Sequence, residues 1–246
     1  MFKTYKYDTI DSTNTEAKRL LQGDNLNLGT FSVPSVIVAN HQTAGRGRQG
    51  KTFYSPENTG LYMSVVDEFP SNEKDAALIT IQISMAVQAA IFECTGIRTG
   101  IKWVNDLYLG NRKICGILTE SVIAHDKHYI IIGVGVNVFT ENFPTEISSL
   151  AGSLDAKNNF SKAKIDELCQ KTAENILRIK SGAFSDLDKY RELSVVLGKE
   201  VEYIKNGNTF TGIAVEITES GGLAINLSGG ARDILHSGEI SLKKWG

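Results

Sequence analysis

The sequence predicts an α+β fold: a larger part built on a mixed or antiparallel sheet with helices, then a small all-β part. Three observations support this. Residues 73–94 form one long stretch, apolar on most sides and stopped by Gly96, which predicts a buried helix. Three β-rich runs follow at about residues 100–109, 113–123 and 129–138, with turn signals at Gly110-Asn111 and His125-Asp126-Lys127. After Leu197-Gly198 the texture changes to four or five short strands within about fifty residues, which suggests a small barrel. A boundary near residue 194 therefore divides the 246 residues into 1–194 and 195–246.

The remaining elements follow in order. A strand at about residues 3–9 leads to Asp11-Ser12-Thr13. Thr13-x-x-Glu16 has the form of a capping box, in which the two side chains satisfy unpaired N–H groups and start a helix ending near Gly23. Residues 33–40 are rich in β-branched side chains and predict a strand. Residues 41–60 are rich in Gly, Arg and polar groups, and a loop of that length is commonly functional. Residues 61–66 predict a strand. Ile165, Leu168, Cys169, Thr172, Ala173, Ile176 and Ile179 keep helical spacing on one face, and a short helix at about 185–193 follows. The last part has strands at about 200–204, 209–217, 223–227 and 233–242.

Composition excludes some classes. Hydrophobic content of 41% and charged content of 22% are those of a soluble globular protein. A net charge of −2 argues against a broad nucleic-acid surface, which needs a basic excess. The opening MFKTYKYDTIDSTN has no apolar core or small-residue cleavage site, so no signal peptide is expected. The uncharged run 76–92 is shorter than a typical span and carries Gln82, Ser84 and Gln88, which favours a buried helix over a membrane helix. Cys94, Cys115 and Cys169 are scattered and odd in number, as expected of reduced thiols in the cytoplasm.

Gly45-Arg46-Gly47-Arg48-Gln49-Gly50-Lys51-Thr52 matches the letters of a phosphate-binding Walker A loop. That loop needs a helix opening at Lys51, and Pro56, Asn58 and Gly60 leave no room for one. The segment keeps its chemistry nonetheless. Glycines allow close backbone approach, and arginines offer forked donors to phosphate or carboxylate; a solvated basic loop is the plain alternative. His125-x-x-His128 lacks a carboxylate or cysteine partner, so a turn is expected there, and no metal site.

Four further segments join this loop: Asp11-Ser12-Thr13-Asn14, Lys102-Trp103-Val104-Asn105-Asp106, the run from Arg112 through Lys113 and Gly116 to Glu120, and Gly133-Val134-Gly135-Val136-Asn137. In this order, together with Gln42 to Arg48, they resemble the motif series of the biotin protein ligase family. The resemblance runs from about Tyr7 to the C-terminus. Two positions depart from the family pattern: Val104 stands where proline is usual, and Phe53 where tryptophan is frequent.

The resemblance implies a class II synthetase-like ligase core with a C-terminal SH3-like β-barrel. It implies a short form without an N-terminal DNA-binding domain, since no helix-turn-helix fits before Ser12. The implied reaction converts biotin and MgATP to biotinyl-5′-AMP and pyrophosphate, then passes biotin to a lysine of a carboxylase's carboxyl carrier domain and releases AMP. By resemblance, Ser12, Thr13, Asn14, Gln42, Gly45, Arg46, Gly47, Arg48, Lys113, Gly116 and Gly133 contact biotin. Arg46, Arg48, Phe53, Lys102, Asn105, Lys113 and Asn137 contact ATP or the adenylate, and Lys113, Arg48 and Asp106 carry catalysis. No DNA or membrane partner is implied, and a homodimer is one assembly the family allows. The alternatives are a lipoate or octanoate ligase or transferase, and a biotin-sensing transcriptional regulator.

Chemistry independent of the resemblance agrees with it. Biotin has a polar ureido ring, an apolar body and a carboxylate, so its pocket needs hydroxyls and amides at one end and cations at the other. Ser12, Thr13 and Gln42 suit the first; for the second, the resemblance implies Arg46, Arg48 and Lys113. Gly116, Gly133 and Gly135 lie inside apolar runs, where glycine weakens a strand unless something approaches closely; a flat ligand on the sheet is the expected cause. For Asp106, a salt bridge with Lys102 is the plain alternative.

Overall fold

The computed structural model describes residues 1–23, 29–69, 76–155 and 160–243. A seven-stranded mixed sheet forms the larger part. In chain order its strands are β1 (Lys3–Ile10), β2 (Ser35–Gln42), β3 (Gly60–Glu68), β4 (Gly100–Lys102), β5 (Asp106–Leu109), β6 (Arg112–Ala124) and β7 (Lys127–Asn137). The spatial order is β1-β2-β3-β7-β6-β5-β4. Only β1 and β2 pair in parallel; helix α1 (Thr13–Gln22) makes their crossover.

The central strands alternate sides, so both faces need cover. On one face Val36, Met63, Val65 and Val134 pack with Ala86, Val87, Ala90 and Ile91 of α2 (Ala76–Thr95) and with Leu168, Ala173 and Ile176 of α3 (Lys162–Leu177). On the other face Ile37, Val66 and Ile131 pack with Ala17 and Leu21 of α1. Helix α1 is short, only ten residues. It covers part of this face and leaves the remainder as the floor of a cavity. Helix α2 is long and apolar enough to cross a membrane by composition, and ten of its residues are buried in the protein.

Helix α4 (Leu187–Leu193) follows, capped by Asp186, whose carboxylate accepts from the N–H groups of Asp188 and Lys189. A second sheet then forms from β8 (Glu200–Lys205), β9 (Asn208–Ile217), β10 (Leu223–Leu227), β11 (Arg232–Leu235) and β12 (Ile240–Leu242), in the order β11-β10-β9-β8-β12. Its buried side chains Val201, Tyr203, Ala214, Leu223 and Ile225 share one core with Ile81, Met85, Ile101, Trp103 and Tyr190 of the larger part.

Two expected strands are broken. The run 100–109 is the hairpin β4–β5, turning at Trp103–Asn105 through a cis Trp103–Val104 peptide. Trp103 turns into the shared core, where its indole N–H donates to Gly221 O at 3.0 Å, and the Ser84 hydroxyl donates to Val104 O at 2.8 Å. Tertiary partners override the local β preference here. The run 233–242 is β11 and β12, separated around Gly238 with φ 118°, and β12 crosses to pair with β8. The predicted start of α2 at residue 73 lies outside the described residues. Residues 125 and 126 turn the β6–β7 hairpin with positive φ, and the His125 ring meets Gly23 O at 3.2 Å.

Candidate active site

A cavity of about 420 Å³ lies on the α1 face of the sheet, floored by β3, β6 and β7. Its wall includes every predicted site residue except Gly45. Gly45 sits behind the wall, where Phe53 N–H donates to its carbonyl at 2.9 Å; a Cβ there would collide with Phe53 O. The floor glycines are closely approached by the protein's own side chains. A Cβ on Gly135 would lie 2.5 Å from the Phe53 ring, one on Gly116 3.3 Å from it, and one on Gly133 would strike the Asn14 carboxamide. Side chains of the protein itself leave no room for a Cβ at Gly133 or Gly135 without a shift, and only a tight fit at Gly116. Gly135→Ala is expected to push Phe53 off the floor at a cost of about 1–3 kcal/mol. A thermal midpoint equal to that of the unaltered protein would refute this.

The hydroxyl-and-amide end is built from the start of α1. Ser12 occupies the N-cap position and Thr13 is the first helical residue, yet Ser12 makes no side-chain cap bond. The expected capping box does not form: Glu16 accepts from Arg19 at 2.9 Å and from Tyr7 at 3.1 Å. Thr13 instead turns to Gln42 at the end of β2. Its N–H and hydroxyl both donate to Gln42 Oε1, at 2.8 and 3.2 Å, and Gln42 Nε2 donates to Ser55 Oγ at 2.9 Å. Fully buried Ser64 on β3 donates to Asn14 Oδ1 at 2.6 Å and contacts Thr13 Oγ1 at 2.7 Å. Ser64 and Ser55 complete a network that fixes these groups. Neither was singled out by motif. Ser64's signal was a lone polar residue in the apolar strand LYMSVV.

The cationic end is organised by the loop between β2 and β3. Arg46 and Thr52 bridge, and a 3-10 turn at Arg48–Gly50 carries Gln49 at φ 53° and Gly50 at φ 76°. Lys51 is extended, φ −66° and ψ 153°, so no helix opens there and the phosphate-loop match is one of letters only. Three cations fasten the loop to three places. Arg46 pairs with Glu120 of β6, Arg48 donates to Asn105 Oδ1 at 2.9 Å, and Lys51 pairs with Glu239 before β12. Asn105 is held in turn by its donation to Ile117 O at 2.7 Å.

Lys113 Nζ lies 2.7 Å from Asp106 Oδ1, an ion contact without hydrogen-bond alignment. Lys113, not Lys102, is therefore the partner of Asp106. Burial lowers the pKa of the Lys102 ammonium below the usual lysine value, partly opposed by Asp106, and its charge lies 5.9 Å from the Tyr108 ring centre. Further along the floor, Asn137 is buried and donates to Gly152 O at 3.1 Å, while its Oδ1 has no protein partner. Gly238 and Glu239, with β12 that follows them, close the wall.

Such a cavity can take an elongated acid with a polar head, and beside it an anionic group carrying an N–H donor. The model of the biotin/lipoate A/B protein ligase family matches residues 7–137, which include this floor and every motif above. The chain belongs to that family. A second match, over residues 196–243, is to the biotin protein ligase C terminal domain.

Individual relatives of this family agree. The bifunctional ligase/repressor BirA of Bacillus subtilis is 36% identical over 151 residues, 60% of this chain and 45% of that protein. The Escherichia coli BirA is 27% identical over 242 residues, 95% of this chain and 72% of that protein. A biotin–[acetyl-CoA-carboxylase] ligase of Mycobacterium tuberculosis is 26% identical over 217 residues, 83% of this chain and 77% of that protein. The matched stretch spans under half the length of the Bacillus relatives. Among solved structures, the biotin protein ligase from Aquifex aeolicus in complex with biotin and ATP superposes with a TM-score of 0.79 at 29% identity, covering 99% of this chain and 100% of that one.

Proposed function

We propose that this chain is a biotin protein ligase, making biotinyl-5′-AMP and transferring biotin to a carrier lysine. The observation that carries the reading is one floor bearing three chemistries: the Ser12-Thr13-Gln42 corner, the Arg46, Arg48 and Lys113 cations, and the unpartnered Asn137 oxygen. The first suits the ureido ring. The second suits a carboxylate and the α-phosphate. The third is an acceptor for the exocyclic amine of adenine, with Phe53 as the apolar wall.

In the first step a biotin carboxylate oxygen attacks the α-phosphorus, the bond to pyrophosphate breaks, and pyrophosphate leaves. Arg46, Arg48 and Lys113 hold the negative charge that gathers on the phosphoryl oxygens. In the second step the neutral amine of the carrier lysine attacks the acyl carbon, and AMP leaves with the electrons of the broken C–O bond. Asp106 orients the amine and receives its proton, with Lys113 fixing the carboxylate at 2.7 Å. Among the described residues no cluster of three or more His, Cys, Asp or Glu forms a metal cage. Asp106 and Glu239 are the carboxylates of the cavity wall that would hold Mg²⁺ entering with the triphosphate, and the ion would offset the charge of the phosphates.

The biotin reading is preferred over lipoate or octanoate because an acyl chain has no use for the hydroxyl-and-amide corner. We also assign 1–194 to a catalytic domain with the class II synthetase-like core, and 195–246 to an SH3-like barrel, on its five short antiparallel strands and the register shift between β9 and β10. Partners are the carrier domain rather than DNA or membrane, given the net charge of −2. A cytoplasmic location is consistent with three unpaired cysteines.

The test is incubation with biotin, MgATP and a carboxyl carrier domain, followed by intact mass. One biotin adduct supports the reading; an unmodified carrier refutes it. A second outcome concerns the loop. The mixed anhydride must be shielded from water while the carrier arrives. Arg48→Ala removes the Asn105 fastening together with one phosphoryl cation, so it is expected to make adenylate more slowly and to release what it makes, labelling lysines of bystander protein on a biotin blot. A clean blot while adenylate is still formed would count against the loop as the shield of the adenylate.

A further inference from the structure

Among residues without a role so far, Glu120 on β6 stands out: it lies outside the cavity lining but holds two residues of it, Asn14 and Arg46. Its side chain is 17% exposed. Oε1 accepts from Lys18 at 2.7 Å and lies 3.2 Å from Arg46 NH2. Oε2 accepts from Asn14 Nδ2 at 2.9 Å and from Arg46 NH1 at 3.3 Å. Burial pushes the Glu120 carboxyl pKa up, but Lys18, Asn14 and Arg46 more than offset this and hold it below the ordinary value.

These contacts are unequal. Lys18 and Asn14 belong to α1, which is packed on the sheet, and their bonds are short. Arg46 belongs to the loop, its side chain is 42% exposed, and both of its contacts are longer. Arg46 is thus the removable partner. Its departure leaves Glu120 with a cation and an amide donor, so no carboxylate is stranded unpaired, which would be costly. An arginine that leaves one carboxylate for another exchanges like for like.

We propose that Glu120 is a positioning residue that parks Arg46 at the cavity rim and yields it to the carboxylate of the entering substrate, Lys18 then holding the charge of Glu120. The proposal rests on the reading of the cavity as a biotin and ATP site, and adds how that site keeps its first cation in reserve.

Trypsin provides the test, because it must take the arginine side chain into its own pocket and so cuts after Arg46 only when that side chain is free. In ligand-free protein, Glu120→Gln is expected to be cut after Arg46 about two- to fivefold faster than the unaltered chain, as befits a partly exposed ion pair. Lys18→Met is expected to be cut more slowly, because Arg46 becomes the only cation left to Glu120. Opposite shifts in the two variants support the proposal, since a general loosening of the fold would speed cleavage in both. Equal rates in all three proteins, or a shift in the same direction in both variants, overturn it. If Glu120→Gln fails to fold, unchanged or faster cleavage of Lys18→Met suffices to reject the idea. A parallel arm with biotin and MgATP separates the two readings: absence of protection in the unaltered protein counts against biotin as occupant, while the ligand-free rates still judge the hold on Arg46.

Discussion

Replacing Lys113 with alanine is expected to slow biotinyl-5′-AMP formation by about 10²–10³-fold, the loss that follows removal of a preorganised charge stabiliser. Lys113 is the second residue of β6, and its ammonium reaches across the β5–β6 pair to Asp106 at 2.7 Å. The same group packs against Gly116, whose lack of a side chain lets the lysine lie along the floor. Folding should survive, because Lys113 is partly exposed and Asp106 keeps Lys102 as a neighbouring cation. The measurement is pyrophosphate release under saturating biotin and MgATP, with a thermal melt as the control. Near-normal release by a folded variant would remove Lys113 from the mechanism.

Deleting residues 195–246 is expected to abolish folding of the remainder, a larger effect than loss of one wall of the cavity. The cut would uncover Ile81, Met85, Ile101, Trp103 and Tyr190, each buried against the second sheet. Exposing a large apolar side chain costs roughly 1.5–3 kcal/mol. Five together approach or exceed the whole stability of a typical domain, about 5–15 kcal/mol. Trp103 would also lose its bond to Gly221 O, and the turn carrying Asn105 and Asp106 would lose its anchor. Soluble expression and circular dichroism of residues 1–194 provide the check. A monodisperse, cooperatively melting product would show that the shared core is dispensable.

The site was legible where chemistry sits in contiguous motifs. Ser12 and Thr13, the arginines of the loop, Lys113 and Asn137 all reached one cavity because each lies at the end of a strand or in a connection that the sheet order gathers. What escaped was contributed singly. Ser64 is one polar residue among apolar ones, and Glu239 lies more than a hundred residues beyond Asn137. Nothing local marks either as part of a network. The capping box failed for a related reason: Thr13 and Glu16 have the right letters to start a helix, but Gln42 and Ser64 engage Thr13 while Tyr7 and Arg19 engage Glu16.

By itself the sequence determined the element types, the two-part texture, the hairpin turns at Gly110 and His125, and a set of residues that line one cavity. Periodicity and turn preferences act over a few residues and so are written locally. Tertiary structure alone decided the break at Trp103, the crossing of β12 to β8, the pairing of Lys113 rather than Lys102 with Asp106, and the burial of the second sheet against α2. Each of these depends on groups distant in the chain finding one another, and burying a side chain as large as Trp103, worth roughly 1.5–3 kcal/mol, exceeds the span of about 1 kcal/mol over which local strand preference acts.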